Sequence, residues 1–483
     1  MFVKDEQRST ETLRGSWLAL GGLSAIFLFE MLDNSILNVA LPTIGRDLHA
    51  STTALQWVTG GYVVVFGGLM LLFGAIADRF GRRRVMLIGL ALLGVASVAT
   101  AFVNTAEQLI AVRVVMGVAA AMTTPGSMAL AFRLFDEESL RVRAITLIST
   151  VGLVGLAVGP TLGGLVLDVA PWQVLLLVNV PVAALAYVGI RTGIDADDPA
   201  ELHRDPLDMA GALLATATIV FALLAPTAFV EQGSGSWAAW ALLVSTVVAA
   251  VLFVLRERSA QHPLLDLGLI GRPLVSSGLA FKAAAGLATA GLSYLVTLQL
   301  QLAFGWPPAL AALGMLPQVV VLLALGPFVD PFVERVGINH AAWMSASAVV
   351  VGLAVYAVFN SLGYAAVALA LALVAAGLRV VGVVAAITVL SGLPTNRTSI
   401  GAALTDTTTE VANGVGIAVA GTLLAALFTG SVTTPDWTAQ QSAQFQHAAT
   451  LGGFALTVIA AAFVSVGFVR SRRQSAQDVV PAV

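Results

Sequence analysis

The 483-residue sequence contains no cysteine and little charge, because Asp, Glu, Lys and Arg together make up only 11% of it. A typical soluble protein has about 25% charged residues, and a soluble fold of this composition could not cover its surface with polar groups. The absence of cysteine excludes disulfide bonds, thiolate metal sites and cysteine nucleophiles. The low charge argues against a soluble enzyme and against a nucleic-acid-binding protein.

Apolar residues are abundant, at 58% of the sequence, and they form long runs without charge. Runs of about 20 apolar residues match the length that a helix needs to cross a bilayer, whereas porin strands give short alternating segments. We therefore predict an all-α polytopic membrane protein. Fourteen spans are predicted, at about residues 16–38, 54–77, 85–103, 107–130, 144–167, 172–190, 208–230, 237–255, 275–300, 308–329, 340–359, 363–390, 400–428 and 448–469.

The loop charges predict the orientation of these spans. Cytoplasmic loops are rich in Lys and Arg, and an inner N-terminus places all but four of the 24 Lys and Arg residues in inner segments. Arg46 is then the single basic residue of the outer loops, and Arg113, Lys282 and Arg379 fall inside spans. Both termini are thus predicted to be cytoplasmic. The first span lacks a cleavage pattern and is expected to be retained, in a cytoplasmic (inner) membrane.

A weak internal repeat indicates two related halves. Residues 112–120 (VRVVMGVAA) resemble residues 378–386 (LRVVGVVAA), so Arg113 and Arg379 hold matching positions. Duplicated halves are common in transporters. We predict a six-helix bundle at 16–191, a linker with two additional helices at 192–274 and a second six-helix bundle at 275–469. Cytoplasmic tails at 1–15 and 470–483 complete this 6+2+6 architecture, whose halves are related by a pseudo-twofold axis.

Signals of enzymatic chemistry are absent from the sequence. The five histidines show no metal-ligand spacing, and no Gly-rich loop ends in Gly-Lys-Ser/Thr. We therefore expect neither a catalytic site nor a metal, cofactor or ATP site. An ion gradient is the remaining energy source.

Three sequence motifs carry more specific information. The loop after span two is GAIADRFGRRR (74–84), with a degenerate counterpart around Gly326, Asp330 and Gly337 after span ten. Span one contains LDNSILNVALP (32–42), and span five contains GLVGLAVGPTLGG (152–164). Glycines at this spacing allow close helix contact, and a proline inside a helix kinks it.

These motifs resemble those of the major facilitator superfamily, and in particular of its fourteen-span drug/proton antiporters related to quaternary-ammonium exporters. The resemblance extends over nearly the whole chain and implies the major facilitator fold and proton-coupled export. It assigns conformational gating to two sets of residues, Gly74, Asp78, Arg79, Gly81 and Arg82 in the loop, and Gly155, Gly159, Pro160 and Gly163 in span five. The stretch Trp172–Pro181 is similar to W-R-W-x-F-x-x-N-x-P of that branch but carries Gln173 and Val174 in place of Arg and Trp.

Charged side chains inside the membrane are candidates for proton coupling, because each costs about 2.5 to 3.5 kcal/mol at a helix centre. Asp406 and Glu410 are four residues apart, so they share one helix face, where two close carboxylates repel when both are ionised. Asp33 and Arg113 match family motifs and are expected to assist proton transfer. The alternatives are a solvent-exposed Asp406 at the end of its span, a packing role for Asp33 and a static ion pair for Arg113.

Further residues are candidates for lining the substrate cavity. They are basic, acidic, amide or aromatic side chains within the spans, namely Glu30, Trp57, Tyr62, Lys282, Tyr294, Gln299, Gln318 and Arg379. Lys282 and Arg379 could neutralise Asp406 or Glu410, or could meet an anionic group of a substrate. Related quaternary-ammonium exporters carry acids where this chain has Gly60 and Leu322, which argues against dicationic substrates.

We therefore predict a monomeric proton antiporter that exports hydrophobic or amphipathic drugs or toxic compounds by alternating access, with cations as the favoured class of substrate. Its partners are protons, a small amphipathic substrate and the lipid bilayer. One alternative is an exporter or flippase of an anionic or lipid-like amphiphile. A proton/peptide symporter is a weaker alternative, because the E-x-x-E-R signature of span one lacks its arginine here. A membrane sensor without transport activity is disfavoured by the short loops.

Overall fold

The structure is a computed structural model that describes residues 16–135, 137–197, 208–233, 235–261, 263, 267–393, 398–429 and 437–478. The predicted N-terminal tail 1–15 lies outside these residues, as do Arg204 and Arg397 of the predicted inner loops.

Fourteen helices in the described part are long and apolar enough to cross a membrane, which confirms the predicted number. We name them α1 to α14. Their bounds are Trp17–Asp47, Thr52–Phe80, Arg82–Phe102, Ala106–Ser127, Thr150–Val169, Gln173–Gly193, Met209–Phe229, Trp237–Ser259, Pro273–Ala303, Pro308–Val336, Ile338–Leu362, Tyr364–Ser391, Leu404–Leu427 and Ala439–Arg472.

Several helices continue beyond the predicted apolar spans. Helix α1 extends to Asp47, and the helices that contain α5 and α14 run over Glu138–Val169 and Ala439–Asp478. Hydropathy detects only the apolar part of a helix, whereas backbone hydrogen bonds continue into the polar ends. Helix α10 is divided into Pro308–Gly314, Leu316–Ala324 and Val329–Val336, and α9 ends in a π-helical turn over Gln299–Ala303.

The first six helices form one bundle, and α9 to α14 form a second bundle with the same pattern of packing. In the first bundle α1 packs against α5 and α6, α4 packs against α2 and α3, and α3 also packs against α6. The corresponding helices of the second bundle, each eight numbers later, make the same pairs. Small residues permit the closest approaches, since a β-carbon at Gly22 of α1 would lie 2.8 Å from the backbone nitrogen of Ile190 in α6.

The turns between α2 and α3 and between α10 and α11 also repeat. Gly81 has φ of 105° and Gly337 has φ of 80°, a left-handed region that favours glycine. After Gly81, the Asp197 carboxylate accepts hydrogen bonds from the backbone N–H groups of Arg83 and Arg84, at 3.2 and 3.1 Å. This acid caps the first turn of α3, where backbone donors have no helical partner.

The two bundles meet along α2 with α13 and along α5 with α10, which are symmetry-related pairs in a twofold arrangement. We call the helix ends remote from the Gly81 and Gly337 turns the distal ends. Hydrogen bonds between the bundles in the described residues lie toward these ends: Gln301 Nε2 donates to the Val39 carbonyl at 2.7 Å, and Gln56 Nε2 donates to the Ala418 carbonyl at 3.4 Å. A β-carbon at Gly164 of α5 would lie 2.6 Å from Ala309 Cα of α10, so the distal ends are closed.

The additional pair, α7 and α8, packs outside the two bundles. Helix α7 contacts both α2 of the first bundle and α13 of the second. Thr216 of α7 donates a 2.7 Å hydrogen bond to the Gly68 carbonyl of α2. Thr227 lies 3.3 Å from Gln56 Nε2 and 3.4 Å from the Thr422 hydroxyl of α13, so α7 joins the contact between the bundles.

Candidate functional site

A buried ion pair holds Asp33 of α1 beside Arg113 of α4. Arg113 Nη1 lies 2.6 Å from Asp33 Oδ2, and both side chains are fully buried. Asn179 at the start of the second segment of α6 donates a 2.8 Å hydrogen bond to Asp33 Oδ1, and Arg113 Nε donates to the Val58 carbonyl at 3.2 Å. Three helices and the backbone of a fourth thus fix this pair inside the first bundle.

Tyr62 of α2 connects this ion pair to the other intramembrane acids. Its ring lies under the Arg113 guanidinium, with 4.3 Å from Cζ to the ring centroid. The side chain is fully buried, and its hydroxyl has no hydrogen-bond partner among the described residues. Tyr62 interacts electrostatically with Asp33, Glu30 and Glu410. It therefore adjoins the Asp33–Arg113 pair and interacts with two of the acids described next.

Three carboxylates from both bundles form what we call the acidic group: Glu30 of α1 with Asp406 and Glu410 of α13. Glu410 packs against α2 of the first bundle, where a β-carbon at Gly67 would lie 3.2 Å from Glu410 Cβ, and Glu30 interacts electrostatically with both acids of α13, so the group spans the contact between the bundles. Glu30 and Glu410 are each only 5% exposed, whereas Asp406 is half-buried. The Thr124 hydroxyl donates to Glu30 Oε2, and Asn413 Nδ2 donates to Glu410 Oε1, both at 3.2 Å. Glu410 Oε2 has no hydrogen-bond partner among the described residues.

The two remaining intramembrane bases differ in their surroundings. Lys282 of α9 is half-buried and interacts electrostatically with Asp406 and Glu410. Arg379 of α12 instead packs against Gly326 of α10, where a β-carbon on the glycine would lie 2.9 Å from Arg379 Nη2. The structure therefore brings Lys282, but not Arg379, to the acidic group.

The other predicted cavity residues lie apart from the acidic group. Half-buried Trp57 packs with α7 and α13 residues at the outer contact of α2. Tyr294 is fully buried in the apolar core. Gln299 is also fully buried, and its amide bonds to the Asn360 carbonyl and the Tyr356 hydroxyl within the second bundle. Gln318 borders a small cavity between α5, α9, α10 and α12, whose other lining residues include Ser293 and Leu322.

The span-five glycines pack α5 onto the motif-bearing segment of α1. A β-carbon at Gly155 would lie 3.0 Å from the Leu28 carbonyl oxygen, one at Gly163 would lie 3.6 Å from Ile36 Cα, and Gly159 directly contacts Ser35. The Ser35 hydroxyl also lies 3.5 Å from the Gly155 carbonyl. Pro160 lies inside the continuous helix, beside these contacts. These contacts join α5 closely to the helix that carries Glu30 and Asp33.

The loop residues assigned to gating lie around the left-handed turn at Gly81. Asp78 Oδ1 and Arg82 Nε are 2.7 Å apart, in a pair that is 40% exposed at Asp78 and 20% exposed at Arg82. The Arg79 guanidinium lies 5.8 Å from the Phe80 ring centroid. Gly74 packs against Pro125 of α4, since a β-carbon at Gly74 would lie 3.8 Å from Pro125 Cβ. These contacts tie the end of α2 to α3 and α4.

Sequence reasoning missed the polar partners of the central acids, namely Thr124, Asn179 and Asn413. Asn179 occupies the asparagine position of the W-R-W-x-F-x-x-N-x-P stretch, so that motif was an available signal. Thr124 and Asn413 carry no comparable signal, because the partner of a polar residue on another helix depends on how the helices are aligned. The hydrogen bonds of Gln56, Thr227 and Thr422 were missed for the same reason.

Comparisons with known proteins agree with this architecture. The family model described as Major Facilitator Superfamily matches residues 23–206. The multidrug efflux pump LfrA of Mycolicibacterium smegmatis is 31% identical over 90% of this chain and 86% of its own length. The methyl viologen resistance protein SmvA of Salmonella typhimurium is 29% identical over 87% of this chain and 84% of its own.

A solved structure supports the fold at lower sequence similarity. The crystal structure of a bacterial homologue of the human lysosomal transporter Spinster superposes with a TM-score of 0.67 at 16% identity, over 98% of this chain and all of that one. This fold and the relatives described above are those of transporters and not of enzymes. The chain belongs to the major facilitator superfamily, and its fourteen spans and multidrug-efflux relatives place it in the fourteen-span drug/proton antiporter branch.

Proposed function

We propose that the protein exports amphipathic compounds with one positive charge from the cytoplasm in exchange for protons. The observation that supports this function is the acidic group, in which Glu30, Asp406 and Glu410 interact electrostatically across the two bundles and Lys282 is the base that interacts with Asp406 and Glu410. Three carboxylates and one ammonium leave an excess of negative charge when all are ionised. Buried charge of this kind is costly unless a cation or a proton neutralises it.

Exchange follows if a proton and the positive end of a substrate compete for the same carboxylates. Binding of the substrate then requires release of protons, and protonation releases the substrate. Exchange of one proton for one singly charged substrate moves no net charge, so the pH gradient drives it, and each further proton adds about 2.3 kcal/mol at a membrane potential of 100 mV. Tyr62 connects the Asp33–Arg113 pair to this site. We assign to the pair the role of changing the packing of α1 and α4 when the acidic group gains or loses a proton.

The closed distal ends fit one state of an alternating-access cycle. With the positive-inside orientation, the distal ends face the outside and both termini lie in the cytoplasm of a cell whose cytoplasmic membrane holds the protein. In this state the acidic group would receive substrate from the cytoplasm. Separation of Gln301 from Val39 and of Gln56 from α13 would open the outer side, where protons displace the substrate.

Neutralisation of the two acids on α13 tests the coupling. We expect D406N and E410Q each to reduce pH-driven transport of ethidium into proteoliposomes by at least tenfold, while size-exclusion profile and thermal stability stay normal. D168N is the matched control, because Asp168 is an exposed acid at the end of α5 and its loss removes the same charge. Wild-type rates in both D406N and E410Q would contradict the assignment.

A second function, export of an anionic or lipid-like amphiphile, is favoured by one observation. Lys282 and Arg379 are intramembrane bases on the second bundle, and a buried cation can bind an anionic group. A transport panel of cationic, neutral and anionic amphiphiles, with and without a protonophore, separates the two functions. Preference for anions would favour this second function.

A further inference from the structure

We propose that an outer groove between α3 and α6 binds one anionic phospholipid, with an acyl chain in the groove and the phosphate at Arg84 and Arg191. The proposal goes beyond the proposed function and takes from it only the orientation, in which the Gly81 turn faces the cytoplasm. The groove is apolar along its length, and two arginines without partners among the described residues lie beyond one of its ends.

The groove is a cavity of about 490 Å³ between α3 and α6, lined by apolar residues and Tyr187. Val95 on α3 and Val188 on α6 are 68% and 54% exposed, so the groove opens to the lipid side of the first bundle. Small residues also line it, among them Gly94 and Ala184. A β-carbon at Gly94 would meet no atom within 4 Å, so a chain of carbon atoms can lie against this part of α3.

Helical spacing places one arginine of each helix in line with the groove. Arg84 precedes the groove residue Ala91 by seven residues on α3, and Arg191 follows the groove residue Ala184 by seven residues on α6. Residues seven apart lie on the same face of a helix, two turns from each other. At 1.5 Å per residue, each arginine therefore lies about 10 Å from its groove residue along the helix axis, on the side of the Gly81 turn.

Arg83 holds these two helix ends side by side. Its Nη2 donates a 2.7 Å hydrogen bond to the Arg191 carbonyl, and its Nε donates to the Ile190 carbonyl at 3.5 Å. The side chains of Arg84 and Arg191 are exposed and have no hydrogen-bond or ion-pair partner among the described residues. The carboxylate of Asp197 bonds instead to the backbone N–H groups of Arg83 and Arg84. Two neighbouring guanidinium groups are thus free to donate hydrogen bonds to one phosphate.

The dimensions fit a lipid of one leaflet. From Arg84 to Val98, at the far end of the groove, α3 rises about 21 Å, whereas half of the hydrocarbon core of a bilayer is about 15 Å thick. A phosphate at the arginines therefore leaves an acyl chain beside residues 90–98. In the proposed orientation this is the inner leaflet, whose anionic lipids attract basic residues near the membrane surface.

A phospholipid accounts for both features of this face. A free phosphate would account for the arginines but not for the apolar groove. A second copy of the chain, packed through the same face, would bring the same arginines of both copies together, and like charges repel. An anionic phospholipid fills the groove and neutralises the arginines at once.

Lipid binding to the full-length, delipidated protein tests the role of the arginines. Native mass spectrometry in detergent measures the affinity for phosphatidylglycerol and for phosphatidylethanolamine with the same acyl chains. Wild type is expected to bind one phosphatidylglycerol at least tenfold more tightly than phosphatidylethanolamine. R84Q/R191Q is expected to lower the affinity for phosphatidylglycerol at least tenfold and to remove this preference, because each arginine near an anionic headgroup contributes about fivefold.

A second variant tests the groove without a change of charge. G94L places four carbon atoms in the groove, about 15 Å from Arg84 along α3. It is expected to lower the affinity for long-chain phosphatidylglycerol at least tenfold, because fewer CH₂ groups of the lipid are then buried. Dihexanoyl-phosphatidylglycerol, whose chains are too short to reach Gly94, should bind wild type and G94L equally.

Two matched controls make the result specific. R258Q/R335Q removes the same charge from exposed arginines at the ends of α8 and α10. G21L introduces the same side chain at an exposed glycine of α1, where a β-carbon also meets no atom within 4 Å. Both controls should keep the wild-type affinities, and thermal unfolding of each variant identifies any loss of binding that results from misfolding.

The opposite outcomes overturn the proposal. Equal affinity of wild type for the two lipids, or unchanged binding of phosphatidylglycerol by folded R84Q/R191Q, would exclude the headgroup site. Binding of glycerol phosphate as tight as that of the long-chain lipid would assign the arginines to a free phosphate. A dimer that G94L abolishes, without bound lipid in wild type, would assign the groove to a second copy of the chain.

Discussion

Loss of one partner of the Asp33–Arg113 pair should destabilise the protein far more than loss of a surface ion pair of the same length. The pair Asp78–Arg82 provides the comparison, because its 2.7 Å separation matches the 2.6 Å of Asp33–Arg113. The two pairs differ in burial: Asp33 and Arg113 are fully buried, whereas Asp78 is 40% exposed. The distances alone predict equal losses of stability when one partner of each pair is removed, whereas the difference in burial predicts a larger loss for Asp33–Arg113.

The magnitudes follow from the dielectric environment. Unit charges about 4 Å apart attract by about 4 kcal/mol at an effective dielectric constant of 20, but by about 1 kcal/mol in water. Desolvation offsets much of the attraction in the buried pair, so its net contribution is small. Removal of one partner leaves the other buried and uncompensated, which costs about 3 to 5 kcal/mol. We therefore expect D33N or R113Q to lower the free energy of unfolding by that amount, and D78N by less than about 1 kcal/mol.

A double-mutant cycle isolates the interaction. In the D33N/R113Q double variant no uncompensated charge remains, so its loss of stability should be smaller than the sum of the single losses by at least about 2 kcal/mol. Unfolding by dodecyl sulfate in mixed micelles, followed by tryptophan fluorescence, measures these free energies. Additive losses, or a D33N loss no larger than that of D78N, would refute the argument from burial.

Two further predictions use other contacts of the same helices. The buried Tyr62 hydroxyl has no hydrogen-bond partner among the described residues, so Y62F should unfold at or above the wild-type midpoint, and a destabilised Y62F would contradict this. Y62A should lower the free energy of unfolding by about 3 to 5 kcal/mol, because it leaves a cavity and removes the contact with Arg113. G164V should prevent closure of the distal ends, since its β-carbon would lie 2.6 Å from Ala309 Cα, and should reduce transport while it increases labelling of a cysteine introduced at Gln301. The chain contains no cysteine, so that label is specific, and unchanged labelling would contradict the closed distal contact.

Most of the fold could be predicted from the sequence, because bilayer spans leave a strong one-dimensional signal. The fourteen helices and their grouping follow from apolar run length, loop charge and the repeat that pairs Arg113 with Arg379. The breaks in α10 and the π-helical turn at Gln299–Ala303 were not predicted, since they do not change the hydropathy. The sequence also could not predict that Gln299 packs within the second bundle. An amide that faces a cavity and an amide that faces a neighbouring helix give the same sequence pattern.

The central charges were identifiable because ionisable residues are rare in membrane spans. Their grouping was only partly predictable. The spacing of Asp406 and Glu410 places them on one face of one helix, but only the packing of the two bundles brings Glu30 close enough to interact with them. From the sequence, Lys282 and Arg379 had the same candidate roles. The alignment of the helices separates them, because Gly286, one turn after Lys282, packs α9 on α13, whereas Arg379 packs against Gly326 of α10.

The position of α7 adds a mechanical constraint on any movement of the two bundles. Helix α7 is hydrogen-bonded to α2 at two points, from Thr216, two turns after its start, to the Gly68 carbonyl and between Thr227, near its end, and Gln56. Its contact with α13 is mainly apolar, through Leu223 against Gly414 and Ala418. Apolar surfaces can slide past one another without breaking hydrogen bonds. When the two bundles rock against each other, α7 should therefore move with the first bundle and shift across α13. The hydrogen bonds of Thr422 with Gln56 and Thr227 must then break together with that between Gln301 and Val39, and all of them lie toward the distal ends.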